Sequence, residues 1–267
     1  MGARFSQRSI ARIDELVGHA SRASLEPKGL EQRRILMNST KKTYIVTGGS
    51  SGIGYHLVKR LREASRVVAL ARSAEQTDLV DNSVVFGINT DVRSLQQLLH
   101  AKEKMKNAFN IGQIDGLINC AGIGYRQPLL ELTEQDYENV FATNIKGLMF
   151  ATKTFMDLLK DHTGIICNIS SIAGIKGFSE WSLYSASKFA VEGFTQSIRH
   201  ELRPRGIRVM CVRPGSVDTP IYEHLSIEEK RDFIDPATIA HIIFALLDIP
   251  QKAVVEDIFI NNSVGDL

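Results

Sequence analysis

Tyr184 and Lys188 stand four residues apart in Tyr184-Ser185-Ala186-Ser187-Lys188, at the opening of a predicted helix. That spacing puts both side chains on one helical face. A phenol ordinarily titrates near 10. An ammonium beside it favours the phenolate and lowers that value. Such a pair can give and take a proton as alcohols and carbonyls interconvert. Tyr-x-x-x-Lys pairs are common on helices, so this one needs company.

A second candidate is Thr47-Gly48-Gly49-Ser50-Ser51-Gly52-Ile53-Gly54, between an apolar strand pattern and a helical one. Its spacing is Gly-x-x-x-Gly-x-Gly. Glycines let the chain turn sharply, so that backbone amides approach a pyrophosphate, and a helix N-terminus adds partial positive charge. A plain glycine-rich turn is the competing reading. The position between first strand and first helix favours a dinucleotide. The second strand pattern then ends Ala69-Leu70-Ala71-Arg72-Ser73, with no carboxylate for a ribose 2′-hydroxyl. Arg72 suits a 2′-phosphate, which favours NADP(H) over NAD(H). The alternative is a solvated arginine at a strand end. With an oxidised nicotinamide beside Tyr184, the phenolate would be favoured further.

These residues need a frame. Strand patterns run over Thr43–Thr47, Arg66–Leu70, Val84–Ile88, Asp115–Ile118, Gly164–Ile169, Ile207–Val212 and Asp257–Ile260. Between them lie stripes at helical spacing, such as Ile53, Leu57, Val58 and Leu61, or Phe189, Ala190, Phe194, Ile198 and Leu202. Apolar strands alternating with amphipathic helices predict an α/β, doubly wound Rossmann fold. Its sheet would be parallel, of seven strands, with helices on both faces. Ser170 and Ser171 then end the fifth strand, and Asn119-Cys120-Ala121-Gly122 follows the fourth, both at the carboxyl edge where open α/β sheets bind ligands. Asn144 lies in a helical pattern, where asparagine is mildly unfavourable, so a specific hydrogen bond is expected of it.

Composition narrows the class. Of 267 residues, 43% are hydrophobic and 23% charged, with 32 basic against 30 acidic side chains. This excludes disordered, collagenous and disulfide-framework proteins, and a net charge of +2 gives no footprint for nucleic acid. Residues 1–36 hold seven basic and four acidic side chains, so the excess sits there. Cys120, Cys167 and Cys211 lie in or beside apolar runs and read as buried free thiols. No apolar stretch reaches transmembrane length, and a cytoplasmic protein is expected. Residues 1–40 read as an N-terminal extension, helical or disordered, ahead of a single domain over 41–267. Organelle targeting and N-terminal lipidation, the latter from Met1-Gly2-Ala3-Arg4-Phe5-Ser6, are weighed against an uninvolved tail, which is favoured. No histidine spacing suggests zinc, so no metal is expected.

Taken together, the chain resembles the short-chain dehydrogenase/reductase family, in its shorter single-domain branch, over roughly residues 41–261. TGGSSGIG is similar to the family's cofactor loop, Asp91-Val92 to its adenine-pocket pair, and NCAG to its NNAG, with Cys120 in place of the second asparagine. Asn144 matches the catalytic asparagine, Ser171 the serine thirteen residues before the tyrosine, and YSASK the YxxxK motif. Arg213-Pro214-Gly215-Ser216-Val217-Asp218-Thr219 resembles the segment beside the nicotinamide. The resemblance implies a catalytic set of Asn144, Ser171, Tyr184 and Lys188. Tyr184 would be the general acid in carbonyl reduction and Ser171 would bind the substrate oxygen. Lys188 would lower the Tyr184 pKa and hold the nicotinamide ribose, and Asn144 would hold a water linking Lys188 to solvent. Cofactor contacts would come from Gly48, Ser50, Ser51, Gly52, Ile53, Gly54, Arg72, Asp91, Val92, Asn119, Ala121, Gly122, Tyr184, Lys188, Pro214, Gly215, Val217 and Thr219.

The substrate would be a small or medium alcohol or carbonyl compound. Residues 123–130, 174–183 and 220–233 are the segments that would select it. Trp181 is expected either at the pocket or at a subunit contact, and Arg126 as an exposed loop arginine. The chain lacks an Asp-Gly-Gly ending, which argues against a 3-ketoacyl-carrier-protein reductase. A homodimer or homotetramer is expected through helices near 140–160 and 184–203. The rival readings are a catalytically inactive NADP-binding regulator on the same scaffold and a sugar-nucleotide epimerase relative.

Overall fold

The computed structural model describes residues 41–265. Seven strands pair in the order β3-β2-β1-β4-β5-β6-β7, and every pairing is parallel. They are β1 (Thr43–Thr47), β2 (Arg66–Ala71), β3 (Val85–Asn89), β4 (Gly116–Asn119), β5 (Ile165–Ile169), β6 (Arg208–Pro214) and β7 (Asp257–Ile260). All five residues of β1 and of β5 are buried, as expected of strands covered on both sides. The strand order reverses between β1 and β4, which makes their carboxyl ends the switch point where a crevice opens.

Side chains alternate between two cores. Val46, Val67 and Ala69 face one, shared with α1 (Gly52–Leu61) and α6 (Pro236–Leu247). Ile45, Val68 and Leu70 face the other, shared with α2 (Leu95–Phe109), α4 (Leu148–Phe155) and α5 (Ser182–Leu202). A short helix, α3 (Glu134–Phe141), leads through a π-helical turn over Ala142–Gly147 into α4. Such wide turns are rare and concentrate at functional sites; this one carries Asn144.

The helix caps divide in two. Ser94, Thr133 and Asp235 cap α2, α3 and α6 with their side chains. The N-termini of α1, α4 and α5 have no side-chain cap; α4 continues the π-helical turn, and α1 opens at the crevice. A cap stabilises a helix by about 1 kcal/mol, so the start of α1 forgoes stability where its amides can meet a ligand.

The predicted stripe on α5 is core only in its second half, where Ile198 and Leu202 are buried and Phe194 packs against the core. Phe189 is 48% exposed, whereas Ser187, Lys188, Glu192 and Thr195 are buried. The first half of the helix buries polar groups because the site is there, and the second half buries apolar ones. Phe194 lies with Ile145 and Met149 in an apolar groove between α5 and α4.

Candidate active site

The crevice is built from the loops that leave β1, β4, β5 and β6. Gly48 follows β1 with φ +70°, and a Cβ there would stand 2.9 Å from the Ala121 backbone. Thr47 sets that approach: its Oγ1 accepts the amides of Cys120 at 3.1 Å and Ala121 at 3.2 Å. Gly52 (φ +50°) leaves space that a Cβ would fill to within 3.2 Å of Thr219. Ser51, Ile53, Gly122, Pro214, Gly215 and Val217 complete the wall together with Thr219. The result is a backbone cradle at an uncapped, acid-free helix start, which fits an anionic diphosphate.

Three of the four expected catalytic side chains meet on the opposite wall. Ser171 follows β5, and Tyr184 and Lys188 rise from the first two turns of α5. Ser171 lies beside Tyr184 on the crevice wall and draws its phenol down. Lys188 is 5% exposed. Its Nζ donates to the Ile169 carbonyl at 2.9 Å and lies 5.5 Å from the Tyr184 ring centre.

The expected lowering of the phenol is not what these groups show. Burial pushes Tyr184 up to about 12, and the neighbouring Ser171 side chain works against it. Burial likewise draws Lys188 down to about 8, against the pull of Cys120, Cys211 and Glu192. Desolvation penalises both charged forms and is the first cause at each group.

Asn144 is the fourth, and its side chain does not line the crevice. It is 1% exposed. Its Oδ1 accepts from the Ile123 amide at 2.9 Å, and its Nδ2 donates to the Ile123 carbonyl at 2.8 Å and to Ser187 Oγ at 2.9 Å. The amide thus clamps the loop after β4 to α5 beneath Lys188.

Other expected contacts also lie off the wall. Asn119 is buried and donates to Thr152 at 3.0 Å and Asn168 at 2.8 Å, while Asn168 donates to Thr195 at 2.9 Å. This polar chain ties α4 through β4 and β5 to α5. At Gly54 a Cβ would come within 2.2 Å of the Gly48 carbonyl, so that glycine serves close packing of α1. Val92 is buried against Gly147. Asp91 pairs with Arg93 at 2.6 Å. Arg72 is exposed after β2 and acts on Asp91 through charge alone. Ser50, half-covered, does not line the crevice. Of the three thiols, Cys167 and Cys211 are buried, but Cys120 reaches the crevice wall.

The description "short chain dehydrogenase" matches residues 42–230. The chain belongs to the short-chain dehydrogenase family. It is 33% identical over 217 residues to a carbonyl reductase family member 4 of Danio rerio, covering 77% of this chain and 91% of that one. It is 35% identical over 201 residues to an L-2,3-butanediol dehydrogenase of Corynebacterium glutamicum, covering 70% and 76%. An alcohol dehydrogenase from the archaeon Thermococcus sibiricus, solved with 5-hydroxy-NADP, superposes with a TM-score of 0.74 at 26% identity, covering 85% of this chain and 98% of that one. Among the described residues, no helix is long and apolar enough to cross a membrane.

This short-chain dehydrogenase also uses residues that motif spacing did not single out. Gly124 carries no side chain because a Cβ would stand 2.6 Å from the Tyr184 ring. Asn262, 5% exposed, accepts the Ser216 amide at 2.8 Å. It donates to the Ser216 carbonyl at 3.0 Å and the Asp232 carbonyl at 2.9 Å. It thereby latches the loop after β6 to the returning end of segment 220–233. Arg213, just before that loop, pairs with buried Glu192 at 2.7 Å and with Asp257 at 2.6 Å. Glu192, Cys211 and Asp257 bring metal-capable atoms within 4.8 Å of one another, but both carboxylates already face guanidiniums. Arg126 is not free on its loop: it pairs with Glu180 at 2.7 Å. Glycines and asparagines near a chain end carry no local signal for such contacts, which only the fold brings about.

Proposed function

We propose that this oxidoreductase transfers a hydride between NADP(H) and a small or medium alcohol or carbonyl compound, with Tyr184 as the general acid and base. The observation that carries the reading is the meeting of Ser171, Tyr184 and Lys188 across one crevice from the glycine cradle. A nicotinamide cofactor, when bound, supplies or accepts the hydride. Gly48, Ser51, Gly52 and Ile53 would hold its diphosphate, and Lys188 its ribose. A similar protein solved with an NADP derivative supports the cofactor class.

The chain's own residues do the rest. Ser171 and Tyr184 converge on one point, where a substrate oxygen would accept two hydrogen bonds. In reduction, Tyr184 gives its proton to that oxygen as the carbon receives the hydride. A phenol held near 12 keeps its proton at neutral pH, which suits this direction. Arg72 supports NADP(H), because its guanidinium lies at the end of β2 with no ion-pair partner within 4 Å among the described residues.

One assay tests both parts. Tyr184→Phe should lower NADPH oxidation by a carbonyl substrate at least ~100-fold and leave NADPH binding, read by fluorescence titration, nearly unchanged. Retained turnover would sink the mechanism. Arg72→Ala should weaken NADPH about 10- to 150-fold and leave NADH alone, since a charge-assisted contact contributes about 1.5–3 kcal/mol. Equal effects on both refute the phosphate role. The exposed apolar Met149 and Phe189 on α4 and α5 support a homodimer or homotetramer, and a monomeric mass by light scattering overturns that.

A further inference from the structure

Two loops touch the Tyr184 ring, and the two are fastened to each other. Gly124, buried in the loop after β4, lies so close that a Cβ would stand 2.6 Å from the ring. Trp181, at the start of α5, meets the ring at 5.5 Å between centres. Each contact is only as firm as the backbone that supplies it.

The loop after β4 is held on either side of Gly124. On one side the Asn144 amide binds both polar groups of the Ile123 backbone, at 2.9 and 2.8 Å. On the other, the Gln127 amide donates to the Glu180 carbonyl at 2.7 Å. Arg126 Nε donates to Glu180 Oε2, also at 2.7 Å. Glu180 immediately precedes Trp181. One glutamate thus joins, by its backbone and its side chain, the loop that carries Gly124 to the loop that carries Trp181.

Glu180 takes that place against its backbone preference. Its φ is +65°, in the left-handed region where a Cβ is disfavoured and glycine is the usual occupant. A glycine would turn there more easily but would bring no carboxylate to Arg126. Residues held in such conformations persist where their surroundings fix them, and they gather at working sites. The two side chains are 58% and 37% exposed. An exposed pair shifts an equilibrium by a factor of only about 1.4–5, so global stability does not account for it.

We propose that Arg126 and Glu180 are positioning residues. Their ion pair straps the loop over Gly124 to the loop before Trp181, and so fixes the Tyr184 ring for proton transfer without touching substrate. The inference rests on the oxidoreductase reading above and adds the device that aims its phenol.

The test is charge reversal. Arg126→Glu and Glu180→Arg each set like charges side by side, and the double variant restores the pair with its sense reversed. Each single variant should lower kcat about 5- to 10-fold at saturating NADPH and carbonyl, with NADPH affinity and thermal midpoint near wild type. The double variant should return kcat to within ~2-fold of wild type. Glu180→Gly relieves the backbone while removing the carboxylate, so its midpoint should be no lower than wild type although kcat falls about 3- to 5-fold. Trp181 is the only tryptophan in the chain, and its fluorescence reads the strap without substrate. Acrylamide quenching should rise in both single variants and fall back in the double. Unchanged kcat or unchanged quenching in the single variants overturns the inference alone. So does a double variant as impaired as its worse parent, the result expected if Arg126 met the substrate itself. If no carbonyl compound drives NADPH oxidation by the wild type, the proposed function falls, and the quenching pattern then decides whether the strap holds the ring.

Discussion

Lys188→Met should leave this protein at least as stable at neutral pH and make it less stable in alkali. The ammonium is buried, and burial holds it at about 8 rather than the usual 10.5. Below about pH 8 the folded chain carries the charge and bears the full cost, about 3 kcal/mol. Between about pH 8 and 10.5 the folded chain has lost a proton that the unfolded chain keeps. Stability then rises with pH, and the cost has vanished above about 10.5. Methionine keeps most of the stem's volume without the charge, but it leaves the Ile169 carbonyl without its donor, a loss of about 1–3 kcal/mol. Glu192 stays paired through Arg213. The variant should therefore match or exceed wild type, by up to about 2 kcal/mol, near pH 7 and fall below it near pH 10. Urea unfolding followed by Trp181 fluorescence at both values gives the difference. A difference independent of pH, or a less stable variant at pH 7, refutes the reasoning. Activity should be lost throughout, so this position exchanges stability for chemistry.

Two further outcomes test the supporting residues. Gly124→Ala places a methyl 2.6 Å from the Tyr184 ring; kcat should fall about 10- to 100-fold from a displaced phenol, with circular dichroism unchanged. A kcat within twofold of wild type would show that the ring has slack. Asn262→Asp keeps the acceptor for the Ser216 amide but sets an anionic oxygen against the Ser216 and Asp232 carbonyls. Substrate KM should rise about 10-fold with kcat less affected, as the latch on segment 220–233 loosens; an unchanged KM removes the latch from the site's design.

Much of the fold was legible before any coordinates. β1 and β7 begin and end where the apolar runs do, and the other strands shift by a residue or two. The pattern was clear because parallel strands buried on both faces must be apolar throughout, and the helices between them must repeat every three or four residues. The glycine turn was legible for a local reason too: Gly48 and Gly52 hold positive φ, a conformation that other residues resist.

The sequence by itself also brought Tyr184 and Lys188 to one helical face, because four residues make about one turn. It did not decide their ionisation. That follows from burial between β5, α5 and the crevice wall, which raises the phenol and lowers the amine. Nor did spacing say where along α5 the apolar face is buried. The apolar stripe holds at Ile198 and Leu202, but Phe189 at its start is exposed and Ser187, Lys188 and Glu192 are buried in its stead. Asn144, Asn119 and Asn262 show the same division. An amide's type reports that it will seek partners. Only the tertiary structure decides that Asn144 holds Ile123, that Asn119 bridges β4 to β5 and α4, and that Asn262 closes the loop after β6. Hydrophobic periodicity is a property of neighbours along the chain, whereas hydrogen-bond partners and burial are set by residues dozens of positions away.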